Sequence, residues 1–291
     1  MSSRLEMLQV ARLAPPLLSD AADLVRDFIL SKQHPDGGFV DRGGDRDLYY
    51  SVFGLGTLLA LQAEVDRDGL RSWLSSFGTG ETLDLIHASA LIRTWAGLGG
   101  APADLREGLL ARVEAWRTPD GGFNERRDAS HGSAYGAFMA LGAYQDLDRD
   151  MADVHLVMDS VRALATDDGG FANERDLPCG TTPALAAAES VLRAGGILLA
   201  PQSRDWLLAR FGNGGFYAVP GAPMPDLLST AIALHALSGM GADLAKYREP
   251  CLDYIDSLWV NTGGFYGNWG DEILDCEYTF YGMLALGHLN F

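Results

Sequence analysis

Apolar residues follow two alternating patterns along most of the chain. One kind of segment is amphipathic: between Pro102 and Trp116, residues Leu105, Leu109 and Val113 fall on one helical stripe, and charged residues occupy the rest of the surface. The other kind is rich in alanine and leucine and is apolar on almost every side. A helix that is apolar all round has to be buried. The alternation therefore predicts helix pairs, each with a charged outer helix and a buried inner helix.

A short turn motif separates the outer helix from the inner helix of each pair. It consists of two glycines followed by phenylalanine. The first interval between copies is 84 residues, and the later ones are 48, 45 and 49. The long first interval predicts a degenerate copy near its middle, where Phe77 to Gly80 lies, and hence six repeat units. The five clear copies are Gly37 to Phe39, Gly121 to Phe123, Gly169 to Phe171, Gly214 to Phe216 and Gly263 to Phe265.

An aspartate follows each turn by four to ten residues and precedes the apolar run. An aspartate at this place can accept hydrogen bonds from the free N–H groups of the first helical turn. We interpret these residues as N-caps of the inner helices. The six aspartates are Asp47, Asp84, Asp128, Asp176, Asp226 and Asp275.

Six such pairs predict an all-α protein, an α/α toroid in which six inner helices lie inside six outer ones. An open solenoid is the alternative, because a two-helix repeat of this length is also typical of solenoids. The last unit is apolar up to the end of the chain, from Thr279 to Phe291, which favours a closed ring. We expect one domain over residues 1–291, with residues 1–17 at its periphery.

If an aspartate caps each inner helix, positions three, seven and ten residues later share one helical face. Glycine and alanine occupy many of the deeper positions, which predicts an apolar central cavity with the aspartates around its mouth. The alternative is that small residues simply allow the helices to pack closely. The first layer of this face comprises Tyr50, His87, His131, Cys179, Ser229 and Tyr278.

Charge and composition exclude several classes of function. With 39 acidic and 22 basic residues, the formal net charge is −17, which disfavours binding to nucleic acid or to an anionic membrane. No apolar run is long enough to span a bilayer, and the N-terminus does not resemble a secretory signal, so we expect a cytoplasmic protein. The three cysteines have no paired spacing and are expected to be free thiols.

The glycine and phenylalanine turns, as in Pro119-Asp120-Gly121-Gly122-Phe123, resemble those of protein prenyltransferase β-subunits and squalene-type terpene cyclases. The resemblance covers residues 20–291. It implies a toroid that binds isoprenoids, but the zinc ligands of the prenyltransferases are mostly replaced. Asp226 matches one ligand, whereas Leu228 and Tyr278 stand where the family has cysteine and histidine. No zinc ion is therefore expected at the family position.

The same segment is similar to the Asp-x-Asp-Asp-Thr-Ala motif of class II cyclases, in which the central aspartate protonates the substrate. Asp226, Thr230 and Ala231 match, but Leu228 and Ser229 replace the other two acids. Neither residue can protonate an alkene.

The resemblance also implies diphosphate recognition by basic residues near the mouth. Arg126, Arg127, His131 and Arg175 are candidates by position, and arginine can grip phosphate oxygens bidentately. A displaced metal site formed by His87, His131 and Cys179 is a further hypothesis. No cofactor is expected otherwise, with Mg²⁺ or Zn²⁺ as the alternative.

The sequence thus predicts a protein related to prenyltransferases and terpene cyclases that handles an isoprenoid or prenyl diphosphate. The alternative is a non-catalytic toroid that binds a lipid or acts as a subunit beside a helical partner. The predicted catalytic residues are Asp226, Asp275 and Tyr278, and the predicted substrate-binding residues are Tyr50, His87, Arg126, His131, Tyr135, Cys179, Arg175 and Tyr281.

Overall fold

The computed structural model describes residues 2–291, and nearly all of its regular structure is helical. Two helices precede the repeats, α1 (Ser3–Ala11) and α2 (Pro15–Leu18). The outer helices are α3 (Ala21–Ser31), α5 (Arg67–Ser75), α7 (Arg106–Glu114), α9 (Val154–Arg162), α11 (Pro201–Leu208) and α13 (Arg248–Leu258). The inner helices are α4 (Leu48–Ala60), α6 (Leu85–Gly97), α8 (Ala134–Asp146), α10 (Thr182–Ala194), α12 (Leu227–Gly239) and α14 (Cys276–Leu289). A short 3₁₀ helix, Ala245–Tyr247, precedes α13.

The inner helices form a closed ring. Each packs against the next one along the chain, and α14 packs against α4 as extensively as the other neighbours pack against one another. The predicted toroid of six helix pairs is confirmed, and the open solenoid is wrong. We call the end where the inner helices begin the mouth of the ring, and the end where they finish its floor.

The glycine turns join outer to inner helices. The first glycine of each clear copy has a positive φ, for example 86° at Gly37 and 102° at Gly263, a region that favours glycine. Phe39 and Phe265 then enter the core and pack against Gly54 of α4 and Gly282 of α14. Three antiparallel pairs of short strands support these turns: β1 (Phe39–Val40) with β2 (Arg46–Asp47), β3 (Phe211–Gly212) with β4 (Gly215–Phe216), and β5 (Trp259–Val260) with β6 (Gly264–Phe265).

Side-chain caps begin all six inner helices, but only four are the predicted aspartates. Asp47, Asp84, Asp226 and Asp275 each accept a hydrogen bond from the backbone N–H three residues later. The predicted caps Asp128 and Asp176 are wrong: both are exposed in loops. The loops of these two units continue for five more residues, and the hydroxyl groups that cap α8 and α10 belong to Ser133 and Thr181.

Helix α1 covers the floor of the ring. Its residues 3–11 were expected at the periphery, but they contact α4, α8 and α14. The Ser3 backbone N–H donates to Gln145 Oε1 at 2.9 Å, and the Arg4 Nε lies 2.8 Å from Asp146 Oδ1. At the other end of this segment, Asn290 Nδ2 donates to the Leu13 carbonyl at 2.8 Å. The N-terminal segment is therefore part of the packed structure and closes one end of the ring.

Two charged clasps join neighbouring units at the mouth. Arg42 donates to Asp275 Oδ2 at 2.6 Å and to Asp271 Oδ2 at 2.8 Å, which links the first unit to the last. His87 lies between the caps of its own helix and of the preceding inner helix, with 2.8 Å to Asp84 Oδ1 and 3.4 Å to Asp47 Oδ2. Hydrogen bonding to Asp47, together with Asp84, raises the pKa of His87 to about 9.

Each helix within residues 2–291 is too short or too polar to cross a lipid bilayer. Cys179, Cys251 and Cys276 are free thiols, as predicted. Burial raises the pKa of Cys251 to about 12, so this thiol stays protonated.

Replacing Gly282 with alanine is expected to destabilise the fold by about 1–3 kcal/mol, the usual cost of overpacking a core. A Cβ at this position would lie 2.7 Å from Cδ2 of Phe265, which is buried. Urea unfolding of Gly282→Ala, Phe265→Leu and the double variant measures the effect. The double variant should be more stable than the sum of the single effects predicts. Additive losses would contradict the close packing of these two residues.

The His87 clasp predicts a loss of stability in alkali. Because the pKa of His87 is raised from 6.5 to about 9 in the folded state, its contribution is complete below pH 6.5 and is lost as the pH rises through 9. The urea midpoint should fall over this interval, and the fall should be smaller in His87→Gln. The exposed His155 supplies the matched control, His155→Gln. Equal pH dependence in both variants would exclude the clasp as its cause.

Candidate functional site

The ring encloses an apolar cavity of about 300 Å³. Side chains from all six inner helices and from α1 line it. Its aromatic wall comprises Tyr49, Phe53, Tyr135, Phe138, Phe280 and Tyr281. On the facing helices, alanines such as Ala186 and Ala187 leave the volume open. The cavity lies at the lower end of the range of about 300–1,000 Å³ that is usual for small-molecule sites.

The residues that face the cavity lie about two, five, six and nine positions after each cap. Examples are Tyr49, Val52, Phe53 and Gly56 after the cap Asp47. Position seven points outwards instead, where Gly54 and Gly282 make room for the phenylalanines of the turns. The predicted layer three residues after the aspartates lies outside the cavity lining. This applies to Tyr50, His87, His131, Cys179, Ser229 and Tyr278.

A half-buried carboxyl group, Glu277, lies two residues after the cap of α14, towards the mouth of the ring, and it adjoins the cavity through Tyr49. Tyr49, which lines the cavity, donates its hydroxyl hydrogen to Glu277 Oε1 at 2.5 Å. Burial raises the pKa of Glu277 to about 7, and the neighbouring Asp275 adds to this shift, whereas the Tyr49 hydrogen bond acts against it. Near neutral pH, Glu277 is therefore poised between acid and carboxylate.

Two more tyrosines lie near enough to this carboxyl group for its charge to raise the pKa of their hydroxyl groups. Tyr135 and Tyr281, two of the predicted substrate-binding residues, both line the cavity, and burial raises the pKa of each hydroxyl. Phe53 packs between Tyr49 and Tyr281, with ring centroids 5.0 and 5.5 Å away. The result is an aromatic pocket in which one lining tyrosine, Tyr49, is hydrogen-bonded to a titratable carboxyl group.

The predicted catalytic residues lie at the rim of the mouth. Asp226 accepts the Ser229 N–H at 2.7 Å, and Asp275 accepts both the Tyr278 N–H and the Arg42 guanidinium. Burial raises the pKa of both carboxyl groups. The Tyr278 ring lies beneath the Arg42 guanidinium, 5.3 Å from its carbon, and packs against Gly267. The structure therefore gives these residues capping and packing contacts rather than places in the cavity.

The predicted basic residues also lie away from the cavity. Arg126 pairs with Glu174 at 2.8 Å, and Arg175 pairs with Asp120 at 3.2 Å. Arg127 stacks over Trp116, 4.2 Å from the ring centre. His131 Nδ1 lies 2.9 Å from the Ser130 hydroxyl.

The structure does not bring His87, His131 and Cys179 together. In the part of the chain that the structure describes, no group of three histidine, cysteine, aspartate or glutamate side chains is arranged to hold a metal ion. The hypothesis of a displaced metal site on these three residues therefore lacks a geometric basis.

Sequence reasoning did not identify Glu277 or Tyr49 as site residues. The signal was available in the position of Leu228, which stands where class II cyclases have the proton donor and lies two residues after its cap. Leu228 lines the cavity. Glu277 has the same offset from the cap on α14, the inner helix next to α12. On α12, the apolar Leu228 thus occupies the position of the proton donor in the class II cyclase motif. On the neighbouring α14, the carboxyl group of Glu277 occupies the equivalent position.

Solved structures with the same fold include two groups of enzymes. The type II terpene cyclase MstE from Scytonema, in its apo form, matches with a TM-score of 0.62 at 15% identity, covering 94% of this chain and 97% of that one. A variant of MstE in complex with geranylgeranyl dihydroxybenzoate gives 0.63 at 14%, with 98% of each chain covered. Candida albicans protein geranylgeranyltransferase-I complexed with GGPP gives 0.51 at 16%, covering 99% of this chain and 84% of that one. At these identities the likeness concerns the fold alone.

Among curated proteins, no sequence matches this chain significantly. The family model described as the prenyltransferase alpha-alpha toroid domain matches three stretches, residues 5–92, 85–193 and 199–290. Together they span almost the whole chain and include all six helix pairs. The chain therefore belongs to the prenyltransferase α/α-toroid domain family.

Proposed function

We propose that this protein is an isoprenoid cyclase in which Glu277 supplies the initiating proton. The observation that carries the proposal is the Glu277 carboxyl group, which accepts a hydrogen bond at 2.5 Å from the hydroxyl of the cavity-lining Tyr49 and has its pKa raised to about 7. A carboxyl group with a pKa near the operating pH is typical of a general acid. The two terpene cyclase structures and the family membership support an isoprenoid substrate.

The chemistry follows from this placement. The Glu277 carboxylic acid donates its proton to a terminal alkene or epoxide of the substrate and becomes a carboxylate. The resulting carbocation is attacked by the next double bond of the chain, and a new ring closes. The last cation loses a proton to a water molecule or a nearby oxygen, and Glu277 regains a proton from solvent. The overall reaction is an isomerisation.

The aromatic wall suits this reaction. Carbocations are stabilised by the negative faces of aromatic rings. Phe53 contacts Phe280 and Tyr281 with ring centroids 5.8 and 5.5 Å apart, which forms a continuous aromatic surface beside the acid. The volume of about 300 Å³ favours a short isoprenoid. The apolar lining keeps water away from the cation.

A non-catalytic toroid that retains an isoprenoid, or serves as a subunit beside a helical partner, is the second candidate. It is favoured by the replacement of the family's zinc ligands and acids, since Leu228 and Tyr278 now stand at two of those positions. Binding of farnesyl compounds without any cyclised product would support it.

The absence of a required cofactor and the cytoplasmic location remain predictions. Dialysis against a chelator, followed by the activity assay, tests the prediction about the cofactor.

Glu277→Gln is expected to reduce cyclisation by about 10²-fold to 10⁴-fold, the usual contribution of a general acid, while substrate still binds. Gas chromatography of products from geranyl, farnesyl and geranylgeranyl substrates and their epoxides measures turnover. The exposed Glu272, three residues before the cap Asp275, provides the control Glu272→Gln, which should remain active. Full activity of Glu277→Gln, with its fold verified by circular dichroism, would refute the proposal.

The pH profile provides an independent test. Because the protonated form of Glu277 acts, activity should be constant below its pKa and fall by about tenfold per pH unit above pH 7. Tyr49→Phe removes a hydrogen bond that favours the carboxylate, so the midpoint should move to higher pH. A profile unchanged by Tyr49→Phe would indicate that another group limits the reaction.

A further inference from the structure

Two positively charged side chains line the cavity at its floor. Among the residues that line the cavity, Arg4 of α1 and Arg93 of α6 are the ones with a fixed charge. The remaining lining is apolar or neutral, apart from His235. Burial lowers the pKa of His235 to about 4, so its ring is neutral near pH 7, with Nδ1 3.0 Å from His288 Nε2.

One buried carboxylate serves both arginines. The Arg4 Nε lies 2.8 Å from Asp146 Oδ1, and the Arg93 Nε lies 3.4 Å from Asp146 Oδ2. The Asp146 side chain is 1% exposed, whereas those of Arg4 and Arg93 are 19% and 16% exposed. The carboxylate is thus withdrawn from the cavity, and the guanidinium groups are open to it.

The arginines retain unused hydrogen-bonding capacity. Both contact Asp146 through Nε, and no acceptor among residues 2–291 pairs with their terminal nitrogens. Arg93 also lies over the Phe138 ring, 5.7 Å from its centre, which holds the guanidinium against the cavity wall. Two cations with one anion leave one positive charge uncompensated within this cluster.

The neighbouring carboxylates lie outside the cavity lining. Glu6 of α1 and Glu189 of α10 both bind Arg193, at 3.0 and 2.6 Å, and none of these three side chains lines the cavity. Burial raises the pKa of Glu189, and Arg193 acts against this shift. The groups that the floor presents to a ligand are therefore cationic or neutral donors.

We propose that Arg4 and Arg93 bind the anionic head group of an amphipathic ligand, a carboxylate or a phosphate, whose isoprenoid chain extends towards Glu277. This inference rests on the proposed function for the identity of the chain. Arg93 lies nine positions after its cap and Glu277 two positions after its own, which separates the two levels by about 10 Å along the helices. The head group and the acid thus lie at opposite ends of the cavity.

This site differs in place from the basic residues that the sequence suggested. Arg126 and Arg175 belong to loops at the mouth and are paired with carboxylates there. Arg4 and Arg93 lie at the floor, and one of them is supplied by α1. A bound head group would connect α1 to α6, so the ligand would hold the floor closed.

The test compares three ligands that share one chain: farnesol, farnesoic acid and farnesyl phosphate. Calorimetric titration of the full-length protein should show that at least one anionic ligand binds about tenfold or more tightly than farnesol, since charge-assisted bonds to arginine are strong. The comparison between the acid and the phosphate identifies the head group. Arg93→Gln and Arg4→Gln should each remove most of this preference and leave the affinity for farnesol unchanged.

Two controls separate charge from structure. Arg93→Lys retains the charge and should keep most of the preference for anionic ligands. The exposed Arg149 provides the control Arg149→Gln, which should leave this preference unchanged. Equal affinities for farnesol and both anions, or equal losses for all three ligands in the glutamine variants, would overturn the inference while leaving the proposed function intact. Failure of all three ligands to bind would overturn both.

Discussion

The hydrogen bond that caps each inner helix determines the arrangement of the whole molecule. It fixes where the helix begins, and the 3.6-residue period then decides which side chains face the ring axis and which face the turns. Two residues after the cap lie Tyr49, Tyr135, Leu228 and Glu277. Seven residues after it lie Gly54 and Gly282, which accept the buried phenylalanines. A shift of one residue in the cap would exchange the cavity lining for the packing surface.

The architecture could be predicted from the sequence because the same pattern of turn, cap and apolar helix recurs in six repeat units. The glycine turns need a backbone conformation that few other residues adopt, and the inner helices need apolar residues on all sides. The caps of the third and fourth units were mistaken because Asp128 and Asp176 satisfy the same local rule as the true caps. Ser133 and Thr181 cap the helices instead, and loop length is not encoded in the capping preference.

The site was less predictable, for two physical reasons. The orientation of a buried helix cannot be deduced from a pattern that is apolar on every side, so the layer containing Tyr50 and His87 was assigned to the cavity. The second reason concerns Glu277, whose proposed role depends on burial and on the contact with Tyr49, 228 residues away in the chain. A capping aspartate and a glutamate two positions later look alike in sequence, yet Asp275 accepts a backbone N–H and Glu277 accepts the Tyr49 hydroxyl.

The contact between α14 and α4 also determines how the protein comes apart. In an open array of repeats, the terminal units have one neighbour and fray first, and unfolding can proceed unit by unit. In this ring each inner helix has two neighbours, and α1 adds contacts to three of them. No unit is an end. Opening the ring at any seam exposes two apolar faces at once, so the molecule should lose its structure in a single cooperative step.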